Sequence, residues 1–241
     1  MSSNRVLVFS SSRVGNGGFM ESLAPVIDSF LRDNVGQVAF IPFASVTNDF
    51  DDYTSMVTGG LNSERYQIKT VEPGNAQSVI KESNAILVGG GNTFKLLHDL
   101  YKYELLDIIQ SKVNSGTPYI GWSAGANIAG PTIATTNDMP VIEPKSFKAL
   151  NFLPFQINPH YTNLKIAGHN GESRDQRLQE FLILNPQTPV VGLPEGTALQ
   201  LDNGVLQFIG AAAGVLFHSE KENGQVNKRE IAVGEDLSFL L

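Results

Sequence analysis

Apolar residues in this chain fall into short blocks whose spacing alternates between two periods. The block from Arg5 to Ser11, RVLVFSS, is nearly continuous in apolar character, the pattern of a strand covered on both faces. After a Gly-containing turn, MESLAPVIDSFLRD places its apolar residues largely at helical spacing, so a βα unit is predicted. QVAFIPFAS repeats the strand signal. DDYTSMVTGGL predicts a poorer helix, weakened by Gly59 and Gly60. YQIKTVE, a short helix around Ala76 to Glu82, and NAILVGGGN continue the alternation. Residues 92–113 carry the strongest helical pattern and are predicted as one helix, with Phe94, Leu97, Leu100, Leu105, Ile108 and Ile109 on a broad apolar face. TPYIGWSAG then reads as strand into turn.

Five apolar strand runs separated by helices predict a mostly parallel sheet with helices on both faces, because parallel neighbours need crossover connections. Beyond about residue 183 the texture changes. PVVGLPEG, TALQLDNG, VLQFIGAAAGVLF and REIAVGE are short strand runs with turns, and Asp202-Asn203-Gly204 is a hairpin signal, so antiparallel strands are expected to extend or flank the sheet. No stretch reads as a linker, and residues 1–241 are expected to form a single domain.

Composition narrows the function classes. Hydrophobic residues make up 41% of the chain and charged residues 17%, enough apolar material for a sizeable core. The net charge of -7 offers no basic stripe for a phosphate backbone, so no nucleic-acid partner is expected. No apolar run approaches the length of a bilayer span and the N-terminal segment lacks the flanks of a secretory signal, so no membrane partner and a cytoplasmic location are expected. The chain has no cysteine, which leaves covalent chemistry to Ser, Thr or Lys.

Gly121-Trp122-Ser123-Ala124-Gly125 follows an apolar strand and precedes the small-residue segment AGANIAG, the context of a nucleophile elbow. A serine hydroxyl needs a base, and there are four histidines. His98 lies within the strong helical pattern. His169 sits in a polar loop and His218 near the end of a late strand. His160, in INPHYTN after the apolar run FLPFQ, sits at a strand end and ranks first, with His169 and His218 left open. Two acids could orient the base. Glu195 lies between Pro194 and Gly196 after a buried strand, and Asp138 lies in TTNDMP, closer in sequence to Ser123 and His160. Either residue type beside Pro or Gly is an ordinary turn residue, so both remain candidates.

Gly89-Gly90-Gly91-Asn92 closes a strand and opens a helix, where free N–H groups could hold an oxyanion together with the amide of Ala124. The plainer reading is a tight βα turn. A P-loop Lys-Ser/Thr, a complete G-x-G-x-x-G and an H-E-x-x-H cluster are all missing from the sequence, and neither a cofactor nor a metal is expected.

Taken in order, FSSSRVGNGG, ILVGGGNTFKLL, YIGWSAGANIAG, PTIATTNDMPVIEP, INPHY, GESRDQRLQEF and GLPEGTALQ resemble the peptidase E family of aspartyl dipeptidases, from residue 8 to about 200. The resemblance implies an α/β fold like that of class I glutamine amidotransferases: a three-layer αβα arrangement around a flavodoxin-like, mostly parallel sheet, with Ser where those enzymes place Cys. It further implies Ser123 as nucleophile, His160 as general base and then acid, and Glu195 as third member, with Asp138 matching an aspartate sometimes assigned to the relay. Gly90 or Gly91 would donate to the oxyanion beside Ala124. Arg174 in GESRDQR matches the position that binds an Asp side chain, although charge pattern alone puts it in a solvated helix start with Glu172 and Asp175. The implied substrates are short peptides with an N-terminal Asp, and a monomer or homodimer is expected. Three alternatives stand beside this reading: a cyanophycinase-like β-aspartyl peptidase, an α/β-hydrolase esterase using Ser123, Asp202 and His218, and a non-catalytic binding module.

Overall fold

The computed structural model describes residues 4–32, 36–47, 49–61, 64–164, 168, 170–220 and 225–241. His169 lies outside the described residues. Five strands, β1 (Val6–Phe9), β2 (Gly36–Ile41), β3 (Tyr66–Thr70), β4 (Ala85–Val88) and β5 (Tyr119–Trp122), run parallel in the order β3-β2-β4-β5-β1. The hairpin β8 (Thr197–Asp202) and β9 (Val205–Gly210) extends the β1 edge antiparallel, giving a seven-stranded sheet. Asn203 and Gly204 close that hairpin with φ of 53° and 78°, the doubly positive pair that suits the twist of adjoining strands.

The central strands are apolar throughout because alternate residues feed two cores. Val6 and Val8 point into one, while Leu7 and Phe9 point into the other. Helices α1 (Ala24–Leu31) and α2 (Phe50–Gly60) cover the second of these faces through Ile27, Leu31 and Val57. Helices α3 (Ala76–Glu82), α4 (Thr93–Lys102) and α5 (Leu106–Asn114) cover the first through Ile80, Leu97 and Ile109. These are the three layers expected from the alternating pattern.

A second, four-stranded sheet has the order β11-β10-β7-β6, built from β6 (Gln156–Pro159), β7 (Val190–Leu193), β10 (Gly214–Ser219) and β11 (Val226–Ile231). In it β6 and β7 are parallel and the other two pairings antiparallel. Helix α7 (Arg174–Leu184) packs Leu178 and Leu182 against Val190 and Phe217 of this sheet. Among the described residues no helix is long and apolar enough to cross a membrane.

Three local expectations change. The helix predicted over residues 92–113 is two helices, α4 and α5. Glu104 at φ 55° ends the first, with Leu105 N–H donating to Leu100 O and Glu104 N–H to Tyr101 O, the paired bonds of a Schellman stop. Leu100 and Leu105 are both fully buried, so one apolar face runs through the break. Helix α1 starts only at Ala24, with Pro25 in its first turn, where a missing N–H costs nothing. The run VLQFIGAAAGVLF is two strands in different sheets, β9 and β10, parted after Gly210 at φ 142°.

Candidate active site

Strand β5 delivers Ser123 at the carboxyl end of the parallel sheet, immediately before the short helix α6 (Ala124–Asn127). Its backbone is left-handed, φ 53° and ψ -109°, a conformation costing an L-residue about 1–3 kcal/mol that the surroundings must offset. Ser123 N–H donates to Phe9 O at 3.1 Å, and its carbonyl accepts from the N–H groups of Ala126 and Asn127. The two glycines of the motif are needed for close approach. A Cβ on Gly121 would lie 2.5 Å from Gly125 O, and one on Gly125 would lie 2.3 Å from Val88 O, so the bend rests directly on the end of β4.

His160 follows β6 and Glu195 follows β7, so both come from the second sheet. The turn holding Glu195 runs back to β8 in the first sheet and is closed by Thr197, whose N–H and hydroxyl both donate to Pro194 O. Gly196 in that turn has φ 80°. His160 is also left-handed, φ 52°. Its N–H donates to Ser10 Oγ at 2.9 Å, and the Ser10 hydroxyl donates to Leu193 O at 2.7 Å. Ser10, fully buried at the end of β1, thus ties His160 to the edges of both sheets.

The three side chains form one line. His160 Nε2 lies 3.0 Å from Ser123 Oγ, and His160 Nδ1 lies 3.0 Å from Glu195 Oε1. An ionised carboxylate only accepts, so the proton on a neutral imidazole belongs on Nδ1, leaving Nε2 to accept from the serine hydroxyl. Glu195 and His160 are both well exposed, at 54% and 42% of their side-chain surfaces. Asp138 is not in this line. Its Oδ2 accepts from Thr93 N–H at 2.7 Å and from the Thr136 hydroxyl at 3.3 Å, at the first turn of α4, where a negative charge complements the helix dipole. Asp202 is held by Arg5 and Arg32, and His218 lies on β10 with its Nδ1 buried and without a partner among the described residues, so neither joins Ser123.

A cleft of ≈ 370 Å³ opens beside Ser123, lined also by Ser11, Arg13, Tyr53, Gly90, Gly91 and His160. Gly91 has φ 136° and a Cβ there would meet Ala44 O at 2.4 Å, while Gly90 lies against the Ser123 Cβ. The N–H groups of Gly90 and Gly91 have no acceptor among the described residues, and Ala124 begins α6, where the N–H has no partner within the helix. Tyr53, which the sequence marked only as part of a weak helix, donates its hydroxyl to Gly90 O at 3.1 Å and accepts from Trp122 Nε1 at 3.1 Å. Burial pushes that phenol up to about 12.

Arg174 is the first residue of α7, behind a capping box formed by Ser173 and Gln176. Its guanidinium donates to Asn158 Oδ1 at 3.4 Å, and fully buried Asn158 stands two residues before His160. The neighbouring charges are engaged elsewhere: Glu172 by Arg177, Asp175 by Lys228 and the Tyr161 hydroxyl. Burial, then the nearby Arg177 charge, pulls Arg174 below the usual arginine value.

Hydroxyl, imidazole and carboxylate in line on an α/β sheet, with unpaired backbone N–H groups beside the hydroxyl, form the constellation of a serine hydrolase. Comparison with known proteins gives the family. The model described as Peptidase family S51 matches residues 6–209, and the chain belongs to that family, whose members are serine peptidases. Among curated relatives, Peptidase E of Shewanella sp. (strain ANA-3) is 47% identical over 236 residues, 98% of either chain. Peptidase E of Nostoc sp. (strain PCC 7120 / SAG 25.82 / UTEX 2576) is 46% identical over 240 residues, 99% of this chain and 97% of the relative. A crystal structure of a peptidase from an acI-B1 Actinobacterium superposes with a TM-score of 0.72 at 19% identity, covering 98% of this chain and 97% of the other, and so shares the fold.

Proposed function

We propose that this serine peptidase hydrolyses the bond after an N-terminal aspartate in dipeptides and short peptides, in the cytoplasm. The observation that carries the reading is the Ser123–His160–Glu195 line, with both hydrogen bonds at 3.0 Å. His160 takes the hydroxyl proton through Nε2 as Ser123 Oγ attacks the aspartyl carbonyl. Glu195 holds Nδ1–H and stabilises the imidazolium that forms. The N–H groups of Gly90 or Gly91 and of Ala124 receive the oxyanion. The same imidazolium then protonates the departing amine, and water, deprotonated by His160, releases aspartate from the acyl-enzyme.

Arg174 supplies the selectivity. A guanidinium presents two parallel donors to a carboxylate, whereas an asparagine amide offers a donor where an acceptor is needed. Supporting this, Arg174 is partly desolvated, lacks a carboxylate partner among the described residues and contacts the strand that carries His160. The test is hydrolysis of Asp-Leu, Asn-Leu and Glu-Leu by the wild type and by Ser123→Ala. Cleavage of Asp-Leu alone, lost in the variant, is the expected result. Equal cleavage of all three would remove Arg174 from the account, and full activity in Ser123→Ala would remove the acyl-enzyme.

A further inference from the structure

The chain has seven arginines, and five of them are paired with carboxylates: Arg5 and Arg32 with Asp202, Arg65 with Asp28, Arg177 with Glu172, and Arg229 with Glu235. The two without a carboxylate among the described residues are Arg174 and Arg13. In a chain with a net charge of -7, a guanidinium without a carboxylate is a candidate for meeting an anion from outside: Arg13 lines the Ser123 cleft, and Arg174 contacts Asn158, two residues before His160. Arg174 is accounted for above. Arg13 lines the same cleft as Ser123 and His160 but comes from a different element, the loop that follows β1.

That loop is built to hold its position. The Ser11 hydroxyl donates to Arg13 O at 2.5 Å, Gly17 N–H donates to Val14 O at 2.9 Å, and Met20 N–H donates to Ser12 O at 2.8 Å. The guanidinium carbon of Arg13 lies 5.7 Å from the centre of the Phe19 ring. Cation–π contact of this kind uses the flat face of the guanidinium and leaves its N–H edge free to donate.

Resting on the aspartyl-peptidase reading, we infer that Arg13 binds the C-terminal α-carboxylate of a dipeptide substrate, on the leaving-group side of the scissile bond. A dipeptide with N-terminal Asp carries two carboxylates, one on each side of the bond to be cut; Arg174 is proposed for the side chain, and Arg13 is the arginine that lines the Ser123 cleft. One further residue moves the α-carboxylate by about 3.3–3.6 Å of extended chain, beyond hydrogen-bonding reach of a fixed guanidinium. Arg13 therefore measures substrate length, favouring dipeptides over longer peptides and free acids over amides.

The experiment compares kcat/KM for Asp-Leu, Asp-Leu amide and Asp-Leu-Leu in the wild type, Arg13→Gln and Arg13→Lys. A charge-assisted hydrogen bond predicts that the wild type prefers Asp-Leu over its amide by roughly ten- to hundredfold. In Arg13→Gln that ratio falls to about one, and Arg13→Lys keeps an intermediate ratio because it retains charge without the fork. A wild-type ratio near one, or a ratio in Arg13→Gln equal to that of the wild type, overturns the assignment of Arg13. Both outcomes leave the aspartyl reading standing so long as Asn-Leu is refused. Failure of the wild type to cleave either Asp-Leu or its amide overturns both.

Discussion

Glu195 meets the imidazole of His160 and Asp138 meets the start of α4, so their mutants carry different expected signatures. Glu195 lies 3.0 Å from Nδ1, but more than half of its side-chain surface is open to water. Two unit charges about 4 Å apart interact by about 1 kcal/mol in water and about 4 kcal/mol at an effective dielectric of 20. The exposure puts this pair toward the lower end, about 1–3 kcal/mol of imidazolium stabilisation, or roughly 5- to 150-fold in rate. Glu195→Gln removes the charge while its amide oxygen can still accept from Nδ1–H, so a loss in kcat of about tenfold is expected. Glu195→Ala also removes the orientation and is expected to lose about a hundredfold, well short of the ~10⁴ that follows replacement of a buried triad aspartate by asparagine, which imposes the wrong imidazole tautomer. Because exposed charges are screened, the gap between wild type and Glu195→Gln should narrow between about 0.05 and 1 M salt.

Asp138→Ala has a different expected signature. It deletes an acceptor for Thr93 N–H and for the Thr136 hydroxyl at the start of α4, costing about 1–2 kcal/mol of stability and, at this chain length, a few degrees in melting temperature. Its kcat should stay within about threefold of wild type. Steady-state kinetics on Asp-Leu at saturating substrate, alongside thermal melts, separate the two cases. If Asp138→Ala keeps its melting temperature and loses more kcat than Glu195→Ala, the assignment of Glu195 to the imidazole is wrong.

Tyr53→Phe keeps the ring and its edge contact with Phe40 but frees Gly90 O, whose peptide unit also carries the Gly91 N–H; kcat is expected to fall about five- to tenfold with KM within twofold, and a change in KM alone would count against oxyanion positioning. Gly125→Ala would drive a methyl to within 2.3 Å of Val88 O, a backbone atom in the middle layer, so a loss exceeding about 3 kcal/mol in urea unfolding is expected and a near-neutral result would contradict the close packing of elbow on strand. At alkaline pH the sign is fixed by the buried phenols: burial pushes Tyr53 up to about 12 and raises Tyr119 as well, whereas unfolded tyrosines ionise near ~10. Their contribution is therefore whole below ~10 and falls as pH rises toward the folded values, since only the unfolded chain releases protons there; urea midpoints that stay level from pH 9 to 11 would refute it.

The central strands were legible because β1, β4 and β5 are buried on both faces, which turns each into a continuous apolar run that needs no long-range information to recognise. The break between α4 and α5 was not legible because its left-handed residue is Glu104, where the usual signal is glycine, and because Leu100 and Leu105 keep the apolar face continuous across it. The choice between Glu195 and Asp138 was hidden for another reason. Glu195 lies between Pro194 and Gly196 and Asp138 two residues before Pro140, and only the parallel pairing of β6 with β7, Pro159 opposite Leu193, sets Glu195 beside His160. Ser10 and Tyr53 had no signal either, since their partners lie 150, 37 and 69 residues away in sequence.

The line from Ser123 to His160 has a property that explains why it can be found at all. Both residues have positive φ, 53° and 52°, although neither is glycine or asparagine. Five other non-glycine residues share this conformation among the described residues: Glu104 and Arg32 at helix ends, Asn203 in a hairpin turn, and Met20 and Asn151 in loops. Ser123 and His160 instead lie at the ends of strands β5 and β6, where an extended continuation would be cheaper. At the Ser123 bend the hydroxyl stands 3.0 Å from His160 Nε2, and at the His160 bend the N–H donates to Ser10 Oγ at 2.9 Å. The two bends stand where strand ends from different sheets meet. The surroundings hold both bends: a Cβ on Gly121 or Gly125 would lie within 2.5 Å of a backbone oxygen under Ser123, and Ser10 accepts from the His160 N–H.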